Sequence, residues 1–186
     1  MQNRAYITKF RNREKMITLV AMPFILFRLL INILSYTCYK WVLTDIASMC
    51  MGVGTVGIYQ SNLAEDCKYI INHSDSVVIF AEDQVQLDKI LKIKEEIPNI
   101  RKVILFNGAT KDDWIISHDD FIALGKNVTE KDYQKRVKEV TPQDVATIVY
   151  TSGTTGVPKG AVITQDNVMF TAQSVEGCAD VACSGY

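Results

Sequence analysis

The sequence predicts an α/β fold, a parallel sheet built of βαβ units with covering helices. Three observations carry this expectation. Short apolar runs, Ser76–Ala81, Lys102–Phe106 and Asp144–Tyr150, have the length and composition of strands buried on both faces. Amphipathic segments separate the first two runs, with apolar residues recurring at helical spacing. The connections are short, so consecutive strands joined by helices lie parallel. With 186 residues the chain holds one domain or slightly more.

Each element has a local reason. Val42 to Met51 reads as a short helix and Thr55 to Gln60 as a strand. Asn62 is placed to cap the next helix, with Glu65 three residues on completing a capping box. Leu63, Cys67, Ile70 and Ile71 then share one face. Asp83 caps a further helix, whose stripe of Leu87, Ile90, Leu91 and Ile97 opposes Lys89, Lys92, Glu95 and Glu96 before Pro98 ends it. Asn107 to Asp113 is a turn-rich loop. Ser117 caps a short helix that runs through Leu124 and stops at Gly125, and Thr129 to Val140 is a charged, solvated helix. After the Asp144–Tyr150 strand comes a Gly/Thr-rich loop, then a strand over Gly160–Thr164 and a helix over Asp166–Glu176 with Asp166 as its cap.

Composition excludes several classes. Hydrophobic residues make up 48% and charged residues 22%, which supports a core and excludes a disordered or collagenous chain. Lys+Arg number 20 against 21 Asp+Glu, a net charge of −1, so nothing in the overall balance favours nucleic acid as a partner. The five cysteines form no CxxC pair and there are two histidines, which argues against a disulfide scaffold or zinc cluster and for free thiols in a reducing cytosol. His73 ends a helix, where a cation complements the dipole, and His118 begins one; both read as structural.

Residues 1–40 form a separate segment. They carry seven Lys/Arg against Glu14 alone, a charge of +6, so the remaining 146 residues sum to −7. A basic flank leads into an apolar run from Met16 to Leu34, which makes residues 16–36 a candidate for peripheral membrane contact. Arg28 opposes a full span, because a mid-membrane charge costs about 2.5–3.5 kcal/mol on insertion scales. Pro23 interrupts the helix, and no small-residue cleavage site follows. The competing reading is a buried or irregular N-terminal segment.

Two glycine-rich stretches invite a nucleotide. Gly52-Val-Gly-Thr-Val-Gly57 matches GxGxxG by letter, but a dinucleotide fingerprint needs a strand before the glycines and a helix after them. Here a helix precedes and a strand follows, so the stretch reads as a helix-to-strand turn. Tyr150-Thr-Ser-Gly-Thr-Thr-Gly-Val-Pro-Lys-Gly160 is different. A buried strand runs into four hydroxyls (Thr151, Ser152, Thr154 and Thr155), the glycines Gly153 and Gly156, then Lys159. Glycines let successive N–H groups converge, hydroxyls add neutral donors, and Lys159 brings an ammonium, a set that suits an oligophosphate. It is not a Walker A loop, which would need glycine at Pro158 and Ser/Thr at Gly160. On composition alone a polar hairpin with a solvated lysine is an equal reading; the whole eleven-residue run favours phosphate.

Thr151-Ser-Gly-Thr-Thr-Gly-Val-Pro-Lys-Gly160 resembles, without a gap, the phosphate-loop signature of the adenylate-forming enzymes, which include acyl-CoA synthetases, luciferases and adenylation domains of peptide synthetases. The strand before it and Ala161–Asn167 after it are similar to the family as well. Gly57–Asn62 and Glu82–Leu91 resemble the long-chain fatty acid–CoA ligase branch, and the resemblance covers roughly Trp41 to Val181.

The resemblance implies that residues 41–186 are a partial AMP-binding domain. It implies a ligase using ATP, Mg2+ and coenzyme A: a fatty-acid carboxylate attacks the α-phosphorus, and the coenzyme A thiol then displaces AMP. By the same resemblance Thr151, Ser152, Gly153, Thr154, Thr155, Gly156 and Lys159 hold the phosphates, Thr151 helps hold Mg2+, and Lys159 is the catalytic cation that neutralises β/γ charge. The family's later motifs have no counterpart in this sequence, so the reading is a fragment, inactive alone. The alternative is a non-catalytic nucleotide- or partner-binding module, tethered to a membrane by residues 16–36. The expected location of the chain is the cytoplasm, with membrane association as the second reading. Nothing in the sequence sets an oligomeric state or an acyl-chain length.

Overall fold

A computed structural model describes residues 29–108, 112–151 and 156–183, with side chains described up to residue 175. The described residues build a seven-stranded sheet in the order β5-β4-β3-β1-β2-β6-β7. Its strands are β1 (Leu30–Leu34), β2 (Gly54–Ile58), β3 (Val78–Ala81), β4 (Lys102–Leu105), β5 (Ile115–Ser117), β6 (Val145–Thr151) and β7 (Lys159–Thr164). All neighbours pair parallel except β6 and β7, which are antiparallel. The helices are α1 (Tyr39–Cys50), α2 (Ala64–His73), α3 (Gln84–Lys92), α4 (His118–Leu124), α5 (Glu130–Glu139) and α6 (Gln165–Cys183).

The alternation of side chains along a buried strand divides the core into two layers. On one face Leu34, Val56, Ile79, Val103 and Tyr150 meet Cys67, Ile70 and Ile71 of α2 and Leu87 and Ile90 of α3. On the other, Ile31, Ile33, Phe80 and Ile104 meet Ala47 of α1 and Phe121 of α4, with Tyr133 and Val137 of α5 packed against them. Burying each such aliphatic or aromatic side chain contributes about 1.5–3 kcal/mol. The expected parallel α/β fold is therefore the observed one.

Several local expectations change at their edges. Asn62 is not the cap of α2: Leu63 holds that position, and Asp66, not Glu65, accepts from the Leu63 N–H at 3.0 Å. α3 ends at Lys92, and a 3-10 turn over Lys94–Glu96 carries the chain toward Pro98. Asp166 does not cap α6. Thr164 Oγ1 accepts from the Asn167 N–H at 3.4 Å, which makes Thr164 the capping residue, and Asn167 Oδ1 accepts in return from the Thr164 N–H at 3.0 Å. The caps expected at Asp83 and Ser117 form, accepting from Gln86 and Asp120, whereas Thr129, expected within its helix, stands before it as the cap and accepts from Asp132.

The largest difference is β1. The apolar run proposed for a membrane surface ends in Leu30–Leu34, which is the strand between β2 and β3 near the middle of the sheet. Ile31, Ile33 and Leu34 are fully buried there, so this part of residues 16–36 cannot lie on a bilayer while the domain is folded. Residues 1–28 of the 1–40 segment lie outside the described residues. Among the described residues no helix is long and apolar enough to cross a membrane.

Candidate functional site

Open α/β sheets bind ligands beyond the carboxyl ends of their strands, often where the strand order reverses. Here it reverses at β1, whose chain leaves to β2 on one side and returns to β3 on the other. Polar contacts cross that edge on the β3 and β4 side. Glu82, just after β3, accepts from the Tyr36 N–H at 2.7 Å and from Ser35 Oγ at 3.3 Å. Lys40 Nζ donates to the Phe106 carbonyl and, at 3.0 Å, to Asn107 Oδ1.

The β6–β7 hairpin lies on the same edge. β6 ends at Thr151 and β7 begins at Lys159, and the antiparallel register sets Thr151 opposite Lys159 and Tyr150 opposite Gly160. Opposed residues of such a pair project from the same face, with Cβ atoms about 4.5–5.5 Å apart. The Thr151 hydroxyl and the Lys159 ammonium thus share one face at the base of the loop, and both residues are exposed. Among the described residues no carboxylate forms an ion pair with Lys159. Gly156 has φ 86°, and a Cβ there would meet nothing within 4 Å. Glycine is needed at that position for backbone hand rather than for space. Ser152, Gly153, Thr154 and Thr155 lie outside the described residues.

The opposite face of the hairpin base carries aromatic rings. Tyr150 is buried, and a Cβ added at Gly160 would stand 3.3 Å from its Cζ, so Gly160 leaves the room that the ring occupies. His73 Nδ1 and Tyr150 Oη share a hydrogen bond of 2.6 Å. Tyr69 stacks on His73 with ring centroids 5.3 Å apart and meets Tyr150 edge-on at 6.4 Å. Tyr69 Oη donates to the Pro158 carbonyl at 3.0 Å. Burial pushes the Tyr150 phenol up, which keeps it a hydrogen-bond donor at neutral pH.

These contacts bring together part of what the sequence singled out and add what it missed. Thr151, Gly156 and Lys159 converge on the hairpin base. Tyr69, Tyr150 and Gly160 carried no role in the sequence, and His73 was placed only at a helix end. The signal was available in part: Tyr69 and His73 stand four apart on α2 and so share its surface. His118 begins α4 and packs edge-on to Phe106, a structural position. The second glycine motif behaves as a turn. α1 precedes it, Gly52 takes φ 68°, and β2 follows from Gly54. Cys38, Cys50 and Cys67 are free, and burial pushes the Cys67 thiol up to about 11, which leaves it unreactive at neutral pH.

Among the described residues no three His, Cys, Asp or Glu side chains converge to hold a metal. Among the described residues the Thr151 hydroxyl offers a neutral oxygen at the loop base. Mg2+ suits such a sparse donor set, because it keeps several waters and binds largely through substrate phosphates.

Comparison with known proteins adds an independent line. The chain is 31% identical over 144 residues to long-chain-fatty-acid–CoA ligase ACSBG2 of Xenopus laevis, covering 76% of this chain and 20% of that protein. It is 30% identical over 153 residues to long-chain-fatty-acid–CoA ligase ACSBG1 of Homo sapiens, covering 81% of this chain and 21% of that protein. The chain thus spans about a fifth of the length of the curated relatives it matches. Its fold is similar to an anthranilate CoA ligase, AuaEII, with TM-score 0.70 at 20% identity over 86% of this chain and 30% of that structure. It is also similar to a red-emitting luciferase from Phrixothrix hirtus, with TM-score 0.68 at 21% identity over 82% of this chain and 29% of that structure. A model of the AMP-binding enzyme family matches residues 30–184, from the central strand β1 into α6, and by that match the chain belongs to the AMP-binding enzyme family.

Proposed function

We propose that this chain carries the phosphate-holding part of an AMP-forming long-chain fatty acid–CoA ligase. The observation that carries the reading is the hairpin base: Thr151 and Lys159 opposed in register on one face, with a left-handed Gly156 between them. The relatives named above, which are long-chain-fatty-acid–CoA ligases, support the substrate class.

In the proposed reaction a fatty-acid carboxylate attacks the α-phosphorus of ATP, giving acyl-adenylate and pyrophosphate. Coenzyme A thiol then attacks the acyl carbon and AMP leaves. The chain's part is electrostatic. Charge grows on the departing pyrophosphate, and donors fixed beforehand lower the barrier without reorganising. Lys159 opposes β/γ charge, amides around Gly153 and Gly156 and the hydroxyls of Ser152, Thr154 and Thr155 take phosphate oxygens, and Thr151 is the protein ligand to Mg2+. Mg2+, held in part by the Thr151 hydroxyl, would supply positive charge against the phosphates.

The proposal assigns phosphate binding, rather than turnover, to the residues of this chain. Titration of the purified chain with MgATP and with AMP tests this. MgATP binds and AMP binds far more weakly, because the assigned contacts are to β and γ oxygens. Equal affinity for both, or no MgATP binding, overturns the reading. With oleate, ATP and coenzyme A the same preparation forms no acyl-adenylate; formation would refute the assignment to binding alone.

A further inference from the structure

Tyr69, His73 and Tyr150 are not used by the phosphate reading, yet they touch both described ends of the loop. Pro158 stands just outside the β6–β7 ladder, whose terminal pair is Thr151 with Lys159. Its carbonyl accepts from the Tyr69 hydroxyl at 3.0 Å. The other end is fixed through Tyr150, adjacent to Thr151, whose hydroxyl is bonded to His73 at 2.6 Å. The three rings are mutually in contact, with His73 and Tyr150 edge-on at 5.7 Å. A single surface of α2 thus grips the residue before Lys159 and the residue before Thr151.

We infer that Tyr69 is a positioning residue: with His73 and Tyr150 it fixes the spacing of Thr151 and Lys159, and so presents hydroxyl and ammonium to a triphosphate in one arrangement. The inference rests on the phosphate reading of the loop. Its physical content is preorganisation. A loop whose ends are held before binding loses less freedom when it binds, and the difference is gained as affinity. The contact also joins two layers of the fold, because α2 covers the sheet face from which Tyr150 projects.

The test compares the wild-type chain with Tyr69→Phe, which keeps the ring stack and removes only the hydroxyl, and with Leu124→Ala, an exposed residue of α4 at the opposite edge of the sheet, as control. Two readouts are taken: amide hydrogen exchange by segment, and MgATP affinity. In Tyr69→Phe exchange accelerates several-fold over residues 157–161 while β1 and β3 are unchanged, and MgATP affinity falls on the order of fivefold, the scale of one ordinary hydrogen bond. Leu124→Ala changes neither. Uniform acceleration across the sheet, or no local acceleration, overturns the positioning role. Local acceleration with unchanged MgATP affinity also overturns it, by showing a contact that does not reach the ligand. A wild-type chain that binds no MgATP, with local loosening in Tyr69→Phe, keeps the clamp and overturns the phosphate reading instead. His73→Phe, which keeps an aromatic ring and removes Nδ1, loosens residues 149–151 by the same logic.

Discussion

Replacing Lys159 by alanine separates charge from fold. Lys159 is exposed, and among the described residues it forms no ion pair, so its removal leaves no buried partner stranded. Folding stability should therefore stay within about 0.5 kcal/mol of wild type, the range of ordinary surface changes. The effect on ligand is different. A unit charge pair 4 Å apart in water is worth about 1 kcal/mol, rising to about 4 kcal/mol at the reduced dielectric of a protein surface. The exposure of Lys159 places it near the watery end, and a triphosphate tail offers more than one charge. The expected loss is about 1–2 kcal/mol, a five- to thirtyfold weaker MgATP titration. Lys159→Arg retains most of the affinity, because charge rather than shape is required. Salt supplies a second check: wild-type affinity falls with ionic strength, and the alanine variant shows a shallower slope. The reasoning is refuted if alanine binds MgATP as tightly as wild type, or if the loss is matched by an equal loss in urea-unfolding stability.

Three further outcomes follow from the packing. Gly54→Ala places a Cβ 2.5 Å from Leu30 Cδ2 and 3.2 Å from the Val145 carbonyl, between β1 and β6, so it should destabilise by about 1–3 kcal/mol in urea unfolding; an unchanged midpoint would show that the strands have room. Asn32 is fully buried in β1 with neither amide atom hydrogen-bonded, so Asn32→Val should stabilise the domain by about 1–3 kcal/mol, and a loss of stability would reveal a partner for the amide. Burial raises the Asp45 carboxyl, against the opposing bond from Thr55 Oγ1 at 2.5 Å, so the native state holds this proton more tightly than the unfolded chain. That contribution is complete below the ordinary carboxylate range and is lost as pH rises through the native value; Asp45→Asn should flatten this part of the stability profile, and an unchanged profile would dismiss Asp45 as its source.

Much of the architecture was legible because it is local. Asp83 and Ser117 cap their helices through bonds spanning three residues, and such bonds need nothing beyond the neighbouring sequence. The GxGxxG stretch was correctly set aside by asking what precedes and follows the glycines. The misplaced caps of α2 and α6 show the limit of the same reasoning. Leu63 has no capping side chain, and Asp66 satisfies its N–H alone. At α6 the reciprocal pair of Thr164 and Asn167 displaces Asp166. For β1 the sequence leaves the surface and the buried readings open for a stronger reason. A strand buried on both faces is a plain apolar run, which has no period to distinguish it from an interfacial segment.

By itself the sequence determined the α/β class, the phosphate-loop signature and the residue types at its ends. Those follow from periodicity and from a run of eleven neighbours. Only the tertiary structure decided that Leu30–Leu34 is a central strand, that Thr151 faces Lys159, and that Tyr69 reaches Pro158 across a separation of 89 residues. The physical reason is that strand pairing and ring contacts join positions far apart in the chain. No local propensity encodes such a partner, and it is fixed only when the sheet and its covering helices close around a shared core.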